Sequence, residues 1–163
     1  MSKAFTSEEA TLDVLVPPRA PLPPGVPNYV TPRGLELLRA ERLKLEAGRA
    51  ELEAGPEEGR GAALTAWATR LGELDQRIAS ATLVVASELQ RGVVRFGSSV
   101  TVADHDGHEK TFEIVGVDEA DPAQGKIAFL APIAKALLGR EVGDLVSVQT
   151  PGKLQRLEIV AIE

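Results

Sequence analysis

Three short clusters in this 163-residue sequence bring together side chains capable of chemistry. DHDGH at 104–108 sets His105 and His108 beside Asp104 and Asp106, donor types that a metal ion accepts. Asp-Gly between two alternating apolar runs is first of all a hairpin signal, and that reading is preferred. The tetrad DEAD at 118–121 is acidic, but no GxxxxGKS/T phosphate loop accompanies it, so it is not a helicase box. Glu57 and Glu58 are adjacent carboxylates in AGPEEGRG, and beside Gly and Pro they read first as a solvated pair in a turn. There is no serine elbow, no GxGxxG and no nucleophile in reach of a base. Cysteine is absent, which removes disulfides, thiolate metal sites and a cysteine nucleophile together.

The elements that must position these clusters are legible from periodicity. Thr31 is a good N-cap, Pro32 a good first helical residue, and Glu36 is near enough to the start to favour the helix dipole. Leu35, Leu38, Leu45 and Leu52 then form a narrow seam, with Arg42 and Arg49 at the intervening positions, in a helix running to about Glu53. Leu64, Trp67, Leu71, Leu74, Ile78 and Ala81 recur three and four residues apart, a coiled-coil seam on a second helix. Gly55, Pro56, Gly59 and Gly61 interrupt the two, so the segment folds back as an antiparallel helical hairpin with arms of roughly 30 Å.

From Phe96 the period changes to two. Val100 and Val102, then Phe112, Ile114 and Val117, then Ile127 and Phe129, then Val146 and Val148, then Leu157, Ile159 and Ala161 mark about five short strands. PIAKALLG supplies one short helix, opened by Pro132, carrying Ile133, Ala136 and Leu137 at helical spacing, and stopped by Gly139. Turn chemistry fills each break, and a small antiparallel sheet crossed by a short helix follows.

Composition narrows the class further. The net charge of −6 argues against a protein that binds by neutralising many phosphates, so direct nucleic-acid binding is weak or indirect. Residues 93–163 carry 7 basic and 11 acidic side chains, and a basic or apolar protein surface is the better partner for them. No apolar run approaches the ~20 residues that span a bilayer, and no basic leader precedes an apolar one, so a cytoplasmic protein without membrane contact is expected. Residues 1–28 hold six of the eleven prolines and read as an extended or disordered tail. A proline-rich ligand for a partner groove is the weaker alternative.

At this point the residues name a family. VGVDEADPAQGKIAFLAPIAKALLGREVGD, preceded by FGSSVTV and followed by VSVQTPG, closely resembles the C-terminal domain of the bacterial Gre transcription elongation factors, GreA and GreB. YVTPRGLELLRAE resembles the opening helix of that family, and IASATLVV followed by VRFG resembles its exit into the C-terminal domain. The resemblance covers residues 29–163 and implies an α+β fold there, which with the segment before it makes three parts. These are a proline-rich flexible tail over 1–28, an antiparallel coiled-coil hairpin over 29–89, and a small FKBP-like antiparallel-sheet domain over 90–163 that docks on RNA polymerase.

What the resemblance implies about function is specific. Gre factors insert the hairpin into the secondary channel of the polymerase, where acidic tip residues help hold a catalytic Mg²⁺ for hydrolysis of backtracked RNA. Such a mechanism needs carboxylates that place the second cation within ~4 Å of the first. The family tip, GD-x-x-EN-x-x-Y, has no match here; Glu57 and Glu58 are the only candidates to replace it, and each arm is shorter by about two turns, ~10 Å. The expectation is a non-enzymatic regulator with no cofactor of its own, the Mg²⁺ of the polymerase being involved only if the tip is active. Carried over residue by residue, the docking patch at the channel rim is Asp118, Glu119, Asp121, Pro132 and Ile133, with Ala131 where the family has Ser. Against this, Asp118 and Asp121 can simply shape a turn, and Ile133 can be core. Two other readings stand beside it: a cleavage-competent factor using Glu57 and Glu58, and a Rnk-like regulator of nucleotide metabolism. Prolyl isomerase activity is not expected, because Phe96, Phe112 and Phe129 occupy core-like positions.

Overall fold

A computed structural model describes residues 19–86 and 91–163. In chain order the elements are β1 (Asn28–Val30), α1 (Pro32–Ala54), α2 (Arg60–Ala79), β2 (Ala81–Leu83), β3 (Ser99–Ala103), β4 (Glu109–Val115), β5 (Lys126–Ala128), α3 (Pro132–Leu137), β6 (Leu145–Thr150) and β7 (Lys153–Ile162). Among the described residues they fall into two compact units, one of residues 19–28 with Leu35–Ala81, the other of Tyr29–Gly34 with residues 82–86 and 91–163. The short segment 29–34 thus groups with the C-terminal module, whereas the linear reading had it in the hairpin.

The first unit is the helical hairpin. Leu38 and Leu45 of α1 and Ala63 and Leu74 of α2 are buried along its seam. The antiparallel register is fixed by Trp67, whose indole N–H donates to the Leu45 carbonyl at 2.7 Å, and by Arg42, whose Nε lies 2.5 Å from Asp75. Arg49 stacks over the Trp67 ring at 5.3 Å and pairs with Glu53 at 2.9 Å, so the basic residues in the seam cover apolar surface while their charges stay paired. Helices of 23 and 20 residues span about 35 and 30 Å.

Of the proline-rich segment, residues 1–18 lie outside the described residues. Residues 19–27 form no helix or strand, yet they are tied down. Arg19 pairs with Glu41 at 2.7 Å, and Arg77, itself buried, donates to the Ala20 carbonyl at 2.5 Å.

In the second unit the sheet order is β5-β4-β3-β7-β6. Pairings β3–β4, β3–β7 and β6–β7 are antiparallel, but β5 runs parallel to β4. Three of the four pairings are thus antiparallel, as expected, and the sheet departs from that only at the β5 edge, where the loop after β4 carries the chain back before β5 starts. Val100, Val102, Ile114, Val115, Leu137 and Ile159 are essentially inaccessible, and each such side chain stabilises the fold by about 1.5–3 kcal/mol relative to exposure. On α3 the buried residues are Ala134 and Leu137, with Ile133 and Ala136 half-buried, so the helix is rotated slightly from the face that spacing suggested. Gly139, at φ 80°, ends it in the left-handed conformation that glycine adopts without strain. A two-stranded ribbon of β1 and β2 was not foreseen, since three-residue strands carry no readable alternation.

Candidate functional site

Two acidic loops could carry function, and they are built differently. The hairpin tip runs from Gly55 to Gly59, where a φ of 82° at Gly59 turns the chain into α2. Glu57 and Glu58 are both exposed there. The guanidinium of Arg60 donates to the Gly55 carbonyl, satisfying an acceptor at the end of α1. Two carboxylates with a cation drawn into the same loop do not make a metal site by themselves, since a hard divalent ion wants several oxygens and no competing positive charge. Among the described residues, the group of three that could hold an ion lies elsewhere, at Asp104, Asp106 and His108.

That second cluster is the β3–β4 turn expected from Asp-Gly. Asp104 Oδ1 accepts from the backbone N–H groups of Asp106 at 2.9 Å and His108 at 3.0 Å, and Gly107 takes a φ of 81°. The His108 N–H, with help from Asp106, holds the Asp104 carboxyl below its ordinary value of 3.8. Its Oδ1 is thus occupied in shaping the turn, which accounts for the Asp and the Gly of this segment.

The acidic loop after β4 is more elaborate. Asp118 is half-buried. Asp121 caps a single 3-10 turn over Pro122–Gln124, its Oδ1 accepting from Ala123 N–H at 3.1 Å, and exchanges backbone bonds with Lys126 at 2.9 and 3.0 Å. Glu119 is only 6% exposed, which removes it from the surface patch where the family pattern places it. Its Oε2 accepts from the Thr31 hydroxyl, and its Oε1 lies 3.4 Å from Lys126 Nζ. Lys126, buried as well, also reaches Glu113 at 3.2 Å. A buried carboxylate needs partners of this kind, and here it has a cation and a hydroxyl.

Pro132 is exposed and Ile133 half-buried at the start of α3, beyond β5. Ala131, in the place of the family Ser, precedes the helix with no side-chain cap. Phe129, which is buried, packs its ring 5.6 Å from Phe96 and 5.5 Å from Tyr29, both of which are only half-buried, so Phe96 sits at the margin of the core rather than inside it. Lys126 and Glu113 escaped the sequence reading; a lone Lys opening an apolar strand in QGKIAF was the available signal.

The family model described as "Transcription elongation factor, GreA/GreB, C-term" matches residues 89–163. Transcription elongation factor GreA of Geobacillus kaustophilus is 41% identical over 125 residues, covering 76% of this chain and 79% of that protein. GreA of Hyphomonas neptunium is 45% identical over 94 residues, covering 57% of this chain and 60% of that protein. With several such relatives the match thus spans about three fifths of their length. Among solved structures, GreA factor homolog 1 of Thermus thermophilus aligns over 83% of this chain and 97% of its own at 25% identity, with a TM-score of 0.41. A GreA/GreB factor from Nitrosomonas europaea aligns over 82% and 97% at 26% identity, with a TM-score of 0.42.

Proposed function

Given that this chain belongs to the GreA/GreB family of transcription elongation factors, we propose that it is a regulator that docks on RNA polymerase and stimulates transcript cleavage poorly. Docking takes place at the rim of the secondary channel and is carried by the C-terminal module. Asp118, Pro132 and Ile133 meet the partner there, and Asp121 shapes the loop that presents them. An acidic step beside apolar positions is a sensible protein-binding patch, and the acidic balance of this part of the chain agrees with it.

The observation that carries the cleavage half of the reading is the tip. A Gre-type mechanism requires the tip to grip a hard cation that the polymerase holds. This tip offers two exposed glutamates on a glycine-rich turn and turns a guanidinium toward its own backbone. It holds neither the Asp nor the Glu-Asn pair of the family motif. On this reading the chain acts through the polymerase rather than as an enzyme, and is at most a weak stimulator of hydrolysis by the polymerase.

The test is a backtracked elongation complex with the purified chain added. Retention of the chain on core polymerase is expected, with cleavage close to the intrinsic rate of the complex. Strong cleavage that disappears in the Glu57→Ala, Glu58→Ala double variant would establish the cleavage-competent reading instead. Failure to bind polymerase at all would favour the Rnk-like one. Among the described residues no helix is long and apolar enough to cross a membrane.

A further inference from the structure

We propose that Glu119 is a positioning residue that makes the 116–126 loop and the cap on the first turn of α1 one cooperative unit. This rests on the docking role assigned to that loop above. The Thr31 hydroxyl is the joint. Its oxygen accepts from the Gly34 N–H at 2.9 Å, capping α1, while its proton goes to Glu119. The other oxygen of Glu119 holds Lys126, and the backbone of Lys126 is bonded in both directions to Asp121. A chain of bonds thus runs from the helix cap through one buried carboxylate to the residue that shapes the loop.

The backbone is fitted to this circuit at two glycines. A Cβ on Gly116 would lie 2.5 Å from the Tyr29 carbonyl oxygen, and one on Gly34 would lie 2.8 Å from Glu119 Oε2. At Gly116 the obstacle is backbone, so that position must lack a side chain for segment 29–34 to lie against the loop, while at Gly34 a Cβ would push the Glu119 carboxylate off the Thr31 hydroxyl. Charge-assisted bonds in a buried setting are the strong ones, and a network of them is lost or kept together. Reciprocity follows: a partner that holds the loop in shape also stabilises the cap, and a loosened cap weakens docking by the same factor. The docking module therefore comprises Tyr29–Gly34 as well as the C-terminal residues, although the two are far apart in sequence.

The experiment uses the full chain and the variants Thr31→Val, Thr31→Ser, Glu119→Gln and Thr31→Val/Glu119→Gln. Amide hydrogen exchange is followed at Gly34, Asp121 and Lys126, with Val146 and Leu157 of the β6–β7 pair as reference. Titration against core RNA polymerase gives affinity. Thr31→Val and Glu119→Gln should each speed exchange at all three sites, leave the reference pair unchanged, and weaken polymerase binding about tenfold, the scale of one hydrogen bond to a charged group. The double variant should be no worse than the weaker-binding single one, and Thr31→Ser should restore both readouts.

Faster exchange at Gly34 alone, with Asp121 and Lys126 unmoved, overturns the coupling. So does faster exchange at all three sites with unchanged affinity, or a rise spread equally over the reference pair. If the unaltered chain fails to bind polymerase, the docking reading falls, and the exchange result alone then supports or overturns the link between cap and loop.

Discussion

The hairpin tip and the loop after β4 look alike as sequence, PEEG against DEAD, and are opposites as structure. At the tip both glutamates face solvent, on a turn closed by backbone bonds and one arginine. In the loop after β4 the central glutamate is buried, with a hydroxyl and an ammonium group as partners. A carboxylate in water is a charge to be offered to a partner, whereas a buried one is a constraint on its neighbours. The acidic letters therefore carry different functional weight in the two places.

Substitutions can break this contrast, and their costs should descend from the buried network to the exposed turn. Lys126→Met should be the most damaging, at about 3 kcal/mol, because it leaves Glu119 buried without its cation. Denaturant unfolding followed through the C-terminal module measures it, and a loss under 1 kcal/mol would mean that Glu119 is effectively solvated. Gly116→Ala should cost about 2 kcal/mol by driving the Tyr29 carbonyl away, an overpacking effect visible as a lowered midpoint with an unchanged slope. The Glu57→Ala, Glu58→Ala pair should shift stability by less than about 0.5 kcal/mol, as exposed positions do. A larger loss there would show that the tip, too, is a built network and would erase the comparison.

How much of this was legible beforehand differs between the two regions for a physical reason. The tip is a local object: Gly, Pro and two glutamates between helices whose seams are separately visible, so its exposure followed from the sequence pattern. The DHDGH turn was legible for the same reason, since Asp-Gly states its backbone requirement within five residues. Glu119 was misplaced because its environment is not local. Its hydrogen-bond partner Thr31 is 88 residues away, in a segment whose three-residue strand leaves no periodic trace. The parallel pairing of β5 was missed for a related reason, as alternation reports which face a residue takes and not the direction of its neighbour.

Periodicity, caps and breakers are properties of neighbouring residues, and by themselves they determined the helical hairpin, the five strands of the C-terminal sheet and the short helix after Pro132, while the family resemblance rests on particular residue strings such as DEADPAQGKIAF. Which acidic groups meet solvent is a property of what the distant chain brings against them. Only the tertiary structure could decide that Glu119 lies inside and the tip glutamates outside, because burial is settled by the whole fold and not by the letters on either side.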